Sequence, residues 1–593
     1  MRRQRRRRSR RRSHTCGDNG FERKARLWAA EETRRRKPTP KKPVGKPGRS
    51  ATLVRALILL LCLSAAPAAA KPRAALRAPA GRVIASVTIE SNNVFSTDSP
   101  PEDKLLYRAA NDIHVRTREA VIARELLFQV GDLYDPALVD ETERNLRALP
   151  FIRRVETQAT VNTAGAVDIV VRTYDSWSLE VVANFKRAGG STSLKGGVTD
   201  HNILGEGKLG SAVYNHDGLS ESKDFAYQDP QFMHTKHLIY SMSAHAAPGS
   251  QNYALSLNRP FYASIVPRAM GGTATYVKNS ISTFSGQAPI GTGQTPAGSV
   301  SKGVVEAGLN YGVAIATSTE RTRRVTFGIL AHHADYTAIP NAASGPIPQR
   351  EQLGFLQLAG DFTEVDFLTV RRINKFTHDE DYNLGLSILP IIAWAPFVRA
   401  VGSTQSQFVP GVTATKGFTW GDQLLLLNSG YSSKYVNGFN SNRIATAGAS
   451  YYIRGLTYQT LAFHSALDLG WHLDPAAPLV LGESSGLRGY GLSAFNGDRR
   501  FLFNIEDRLF VWDELFRLLD VGAVFFYDSG YAWPTSSSIK LGDLKNSVGM
   551  GLRLAPSRSA DNNPVRIDLA YALNDNQTRS RWSLSIQAGQ AFH

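Results

Sequence analysis

The chain is 593 residues long, 20% charged and 42% apolar, with 50 glycines and two cysteines. A single core rarely grows past ~250–300 residues, so more than one domain is expected. No run of ~18 apolar residues occurs, which argues against a helical membrane span but not against a barrel, whose apolar residues are hidden at alternate positions. The net charge of +18 suggests nucleic acid until it is mapped: residues 1–70 hold 21 basic and 4 acidic side chains, the remainder 48 and 47. The near-neutral body argues against a nucleic-acid partner.

Residues 1–50 are rich in Arg and Pro without apolar periodicity, the composition of a basic disordered leader. Residues 51–70 read as a signal peptide. A short apolar run at 56–63 is followed by small residues, predicting cleavage near Ala70 and export. Cys62 follows Leu61, so a lipid anchor on it is not expected. An internal translation start near Val54 accounts for the long basic region; a basic nucleic-acid arm is the alternative. Recovery of Met1 by N-terminal sequencing of the precursor would reject the first. Cys16 and Cys62 both lie in this leader, so the exported part is expected to have neither disulfides nor a cysteine metal site.

Residues 81–175 read as β-α-α-β-β. The β-branched run 83–89 predicts a strand. Val121, Ile122, Leu126 and Leu127 predict a helix over 117–128, and residues 102–111 a further short helix in the long first connection. Asp135-Pro136 opens another helix, since Asp can cap free N–H groups and Pro suits the first turn. Its predicted face is Leu138, Thr142, Leu146 and Leu149. Strands follow at 154–161 and 167–174. With Gly131-Asp132-Leu133-Tyr134-Asp135 and the run from Leu146 to Val155, the segment resembles a single POTRA domain. A generic two-layer α/β domain is the alternative. A three-stranded sheet leaves an unpaired edge that can accept an extended peptide. The resemblance implies that this edge is strand 154–161, with Arg154, Val155 and Val161.

From Trp177 onward, short alternating segments recur between Gly, Asn, Asp and Ser. A soluble sandwich would bury the apolar face and a membrane barrel would turn it to lipid. Charged side chains on the opposite face decide for the barrel. Asn504, Glu506 and Arg508 share one face, as do Gly522, Asp528 and Gly530, and Gly549, Gly551 and Arg553. A dry sandwich core would bear a large desolvation cost for them, whereas a wet lumen would not. Close to twenty segments look like strands; allowing for large loops, residues 176–593 suit a transmembrane antiparallel β-barrel of about 16 strands.

The last third carries the most specific motifs. Gly486-Leu487-Arg488-Gly489-Tyr490-Gly491 sits in loop-like text. Glu506-Asp507-Arg508, Phe526-Tyr527-Asp528-Ser529-Gly530 and Val548-Gly549-Met550-Gly551-Leu552-Arg553 follow in order, and Gly205-Glu206-Gly207 lies near the second barrel strand. The chain resembles the BamA/TamA superfamily of outer-membrane transport barrels, the bacterial surface antigen type. The resemblance implies a luminal loop motif at Leu487, Arg488, Gly489 and Tyr490, with Leu487 where the family usually has Val. It implies that Arg488 docks on Glu506 and Asp528. Parity independently puts both acids on the inward face, and a guanidinium can fork between two carboxylates. Asp507 should face outward, where the family commonly has an apolar residue. Parity also places Trp582, Leu584, Ile586, Ala588, Gln590 and Phe592 on the lipid face.

The implied function is outer-membrane protein insertion or polypeptide translocation in a Gram-negative bacterium, with the small module in the periplasm. Strand exchange would occur at a lateral seam between a first strand near Leu179 and Phe185 and a last strand over Trp582 to Phe592. Expected partners are outer-membrane lipids, unfolded outer-membrane or secreted polypeptide clients, and periplasmic accessory proteins. No enzymatic step, cofactor or metal is expected. Alternatives are a two-partner-type secretion pore, whose relatives usually add a second POTRA domain and a plug helix, and a passive channel or surface protein. Gly482-Glu483-Ser484-Ser485-Gly486 matches the hydrolase elbow pattern, but no helix is predicted after Ser484. His332 and His333, adjacent on a strand, point to opposite faces and cannot share a metal.

Overall fold

The computed structural model describes residues 78–593 except 99, 189–190, 217–220, 284–297, 340–346, 348, 399–402, 474–477, 492, 561, 575–580 and 593. The expected leader, signal peptide and cleavage site lie outside the described residues.

The small module comprises β1 (Ile84–Asn92), α1 (Leu105–Ile113), α2 (Glu119–Glu125), α3 (Pro136–Arg147), β2 (Ile152–Val161) and β3 (Val167–Asp175). Its sheet runs β1-β3-β2, with β1 parallel and β2 antiparallel to the central β3. Val167, Ile169 and Val171 of β3 are fully buried at alternate positions, and pack with Ile84, Val121, Ile122 and Leu146. One face of the sheet therefore meets the helices and the other is bare. Asp135 caps α3, its Oδ1 accepting from the Ala137 N–H at 2.9 Å. Val139, rather than Leu138, joins Thr142 and Leu146 in the buried face of that helix. Helix α2 is shorter than the periodicity of 117–128 suggests. The Thr117 N–H donates to Asp175 Oδ2 at 2.7 Å, which holds the chain extended ahead of the first turn.

The larger part begins with β4 (Leu179–Ala188), β5 (Ser191–Ile203), β6 (Lys208–His216), β7 (Glu221–Asp229), β8 (Ile239–Ala247), β9 (Ser250–Arg259) and β10 (Arg268–Thr283). Next come β11 (Gly298–Thr317), β12 (Arg321–Ala338), β13 (Glu351–Glu364), a hairpin of β14 (Phe367–Val370) and β15 (Glu380–Asn383), and β16 (Ser387–Ala395). Then follow β17 (Gln407–Trp420), β18 (Gln423–Val436), β19 (Phe439–Leu456) and β20 (Gln459–Trp471), and a small pair, β21 (Leu479–Leu481) and β22 (Phe495–Gly497). The chain ends through β23 (Arg499–Leu515), β24 (Leu519–Trp533), β25 (Lys545–Pro556), β26 (Val565–Ala572) and β27 (Trp582–Ala588).

Among the described residues, twenty of these strands form one antiparallel sheet whose order is cyclic, bringing β27 beside β4. The estimate of about 16 was too low: the strand-like segments discounted as loops are paired strands. From β4 round to β27, every junction carries a residue-by-residue register. β27 and β4 complete the ring as hydrogen-bonded neighbours, but among the described residues no residue-by-residue register runs along that junction. Leu309, Phe327, Ile329, Phe525, Met550 and Leu584 face outward, each more than half exposed, while Asn504, Glu506, Arg508, Asp528 and Arg553 face inward and are buried. Apolar outside and charged inside is the pattern of an outer-membrane β-barrel, in which neighbouring strands satisfy the backbone in lipid. At 20 and 18 residues, β11 and β12 far exceed the ~9–11 needed to cross and so extend beyond the bilayer.

The module sits across one mouth of the cylinder, touching turn after turn around the rim. Thr117 Oγ1 accepts from Asn202 Nδ2 (2.9 Å) and Glu125 Oε1 from Gln231 Nε2 (2.6 Å). Glu141 Oε1 accepts from the Ser264 N–H (2.7 Å), and Arg147 pairs with Asp381 (3.0 Å). The Tyr107 hydroxyl donates to the Phe516 carbonyl (3.0 Å), and Arg558 pairs with Glu102 (2.8 Å).

Candidate functional site: a luminal clamp and a lateral junction

Between wall strands β20 and β23 the chain forms the small β21–β22 pair, and the segment linking that pair folds into the lumen. Gly486 adopts φ +101°, a left-handed conformation open to glycine, and turns the chain toward β23. Gly489 lies so close to β25 that a Cβ there would come 2.5 Å from Ser547 Cβ. Tyr490 anchors the far side, its hydroxyl donating to the Asn546 carbonyl at 3.1 Å, and Leu487 is buried with Leu481 and Leu502. Gly489→Val is expected to push the loop off the wall and cost about 1–3 kcal/mol, the usual range for overpacking. A lowered unfolding temperature in detergent would show it; an unchanged one would contradict the close approach.

This path delivers Arg488 to the wall. Its Nε and Nη2 donate to Asp528 Oδ2 and Oδ1 at 3.0 and 2.6 Å, and its Nη1 donates to Glu506 Oε1 at 2.6 Å. The guanidinium carbon lies 3.5 Å from the centroid of the Phe526 ring, a cation–π contact. All three charged side chains are essentially inaccessible. The cluster extends further than sequence reasoning reached. Arg508 Nε donates to Glu506 Oε2 at 2.8 Å, Arg553 Nη1 to Asp568 Oδ1 at 2.6 Å, and Asp568 Oδ2 lies 3.7 Å from Arg488 Nη1. Asp568 could have been found by parity, since it shares the inward face of β26 with Arg566. The inward charges were expected to be hydrated by a wet lumen. Instead, at this wall, they pair with one another under a packed loop, with Arg553 Nη2 and Asp568 Oδ2 left without a hydrogen bond.

Two further segments fill the lumen here. From the β14–β15 hairpin, the Ile373 carbonyl accepts from Arg508 Nη1 at 2.6 Å, and Phe376 packs edge-on against Phe510. The chain end supplies the second. Parity had placed Gln590 and Phe592 on the lipid face, and the structure reverses both. β27 stops at Ala588, Gly589 takes φ +82°, and the tail bends inward. Gln590 Oε1 accepts from Arg553 Nε at 3.2 Å, and the Phe592 carbonyl from Arg508 Nη2 at 3.3 Å. Phe592 stacks on His464 and is 7% exposed. The alternation rule fails because it holds only while the strand continues.

The lateral junction takes its character from the short β27. Trp582 and Leu584 of β27 and Val181 of β4 are 59%, 65% and 77% exposed, and Leu179 is 46% exposed. Phe185 lies in β4, its backbone registered against Leu194. Asp507 faces outward as parity requires, and Gln459 Nε2 donates to its Oδ1 at 2.6 Å. In the module, β2 is an edge of the sheet. Val155 on it is buried in the core, Val161 is exposed, and Arg154 covers the Tyr174 ring at 4.2 Å. Ser484 lies in a single short turn with no α-helix after it, and His332 and His333 bond separate acids, Glu306 and Asp335.

Asp175 ends β3 where the module meets the barrel. Burial pushes its carboxyl from 3.8 to about 7, partly offset by the Thr117 N–H and the charge of Arg116. His114, 3.9 Å away, is shifted down by burial. The folded chain therefore keeps the Asp175 proton to higher pH than the unfolded chain does. That contribution to stability is full below about pH 3.8 and is lost as pH rises through about 7. Asp175→Asn is expected to remove this slope, on the order of 2–4 kcal/mol across the window. Thermal melts at pH 5 and pH 8 check it; equal pH slopes for the wild type and the variant would refute it.

No family model matches the chain, and no curated protein matches it. Among solved structures it is similar to CdiB from Escherichia coli (10% identity, TM-score 0.44, covering 93% of this chain and 99% of that one). It is also similar to CdiB from Acinetobacter baumannii (12%, 0.43, 86% and 74%). A third is BamA from Haemophilus ducreyi lacking POTRA domains 1–3 (12%, 0.31, 86% and 83%).

Proposed function

We propose that this chain inserts or translocates polypeptides at the outer membrane by strand pairing at the β27–β4 junction, with the small module on the periplasmic side. The observation that carries this is that, among the described residues, β27 and β4 are neighbours in the ring without the extended register that every other junction has. Each backbone N–H or C=O that a short junction leaves unpaired in lipid costs several kcal/mol, so an incoming strand that pairs there is favoured. The loop around Arg488, the β14–β15 hairpin, the inturned tail and the module obstruct the bore, which favours the wall over the lumen as the route. The β2 edge offers a second pairing site, through which extended clients or periplasmic accessory proteins could be held by backbone hydrogen bonds. Hydrogen-bond exchange needs no covalent chemistry, cofactor or nucleotide.

Cysteine pairs scanned along β4 and β27 test the mechanism. Oxidative locking of the junction is expected to abolish outer-membrane protein biogenesis, with reduction restoring it. Normal biogenesis with a fully locked junction would refute lateral exchange.

A further inference from the structure

We infer that the outer wall across β8–β13 holds an anionic glycerophospholipid in a shaped groove. This rests on the membrane-barrel architecture and is independent of lateral exchange. Outward residues register in two rows across the sheet. Leu257, Gly272, Leu309, Ile329 and Leu356 make one row; Leu255, Ala274, Ala307, Ala331 and Gly354 make the next. The second row is small for four consecutive strands. Above it stand Tyr253 and Tyr276, stacked at 6.1 Å. The result is a trough of about 800 Å³ between bulky rows, with Phe232 and Tyr240 at one end. A concave, almost wholly apolar trough on a lipid-facing wall fits acyl chains.

The charge at its foot selects the headgroup. Arg259 follows Leu257 by two residues on the same face of β9 and registers with Met270. Arg268 lies two residues before Met270 on β10, placing the two arginines as diagonal neighbours, ~7–8 Å apart at the backbone. Among the described residues neither pairs with an acid, and Arg259 Nε is buried without a hydrogen-bond acceptor. Its guanidinium lies 5.9 Å from the Tyr262 ring. Both occupy the end of the strands nearest the module, flanking the β9–β10 turn whose Ser264 bonds Glu141. Two unpaired guanidiniums directly below an acyl trough suit a phosphodiester carrying net negative charge.

The purified full chain in mild detergent, titrated with phosphatidylglycerol or phosphatidylcholine, tests this by bound lipid in native mass spectrometry and by melting temperature. Phosphatidylglycerol is expected to bind and stabilise far better than phosphatidylcholine. Arg259→Gln with Arg268→Gln should weaken its binding at least about tenfold, the loss of one charge-assisted contact. Ala307→Leu with Ala331→Leu, which fills the trough and leaves both arginines in place, should weaken it as well. Heat-modifiable mobility confirms that each variant is folded. Equal binding of the two lipids, or unchanged phosphatidylglycerol affinity in either folded variant, would overturn the site. Full competition by inorganic phosphate would overturn the role of the trough. Because these readouts do not involve biogenesis, they stand or fall separately from the locked-junction experiment.

Discussion

Arg488→Ala is expected to cost the barrel about 3–5 kcal/mol, the range for leaving a buried charge without its partner. The loss falls mainly on Asp528. Glu506 keeps Arg508 at 2.8 Å, but Asp528 loses both side-chain donors of its forked pair and keeps Asn504 Nδ2 at 2.7 Å. Lysine should recover only part of the loss, because a point charge cannot fork between two carboxylates while stacking on Phe526. Removing the acid together with the cation, in Arg488→Leu with Asp528→Leu, should be milder than Arg488→Ala alone, since no unpaired charge then remains. Unfolding temperature in detergent and heat-modifiable mobility measure all three. If Arg488→Ala melts like the wild type, the guanidinium does not hold the loop to the wall.

Arg558→Ala is the change expected to loosen the module from the mouth. Arg558 lies in the turn between β25 and β26. Its Nη2 reaches Glu102 Oε1 at 2.8 Å and Glu514 Oε1 at 3.1 Å, its Nη1 donates to the Val94 carbonyl at 3.4 Å, and its guanidinium covers the Phe95 ring at 5.5 Å. One side chain thus ties two rim turns to the segment ahead of α1. Glu102 and Glu514 retain some exposure, so water recovers part of the loss and about 2–3 kcal/mol is expected. Local opening should rise by the same free energy, roughly 30- to 150-fold in exchange rate. Faster hydrogen exchange is therefore expected in α1 and in residues 94–102, with the barrel strands unaffected. Unchanged protection there would show that Arg558 does not couple the two parts.

Alternation along the strands by itself determines which side chains of the cylinder face lipid and which face the lumen. That is a local property: successive residues of any strand point to opposite faces. It placed Glu506 and Asp528 inward and Asp507 outward. The spacing of Gly486 and Gly489 likewise marked a loop able to approach the wall, because close approach needs positions without a side chain. The helix opening at Asp135-Pro136 was legible for the same reason, since the cap and the first turn are neighbours in the chain.

Only the tertiary structure decided how many segments pair, where the last strand ends and what fills the lumen. A strand's existence depends on its neighbour, and β27 and β4 are some 400 residues apart in the chain, beyond the reach of any local pattern. The turn at Gly589 carries Phe592 from the lipid side to the lumen, and nothing in the alternation of β27 announces it. The buried ion cluster is a long-range product in the same way. Arg508, Arg553 and Asp568 stand on three different strands, and a pair of charges becomes worth its desolvation only when packing brings the partners within hydrogen-bond distance and excludes water from both.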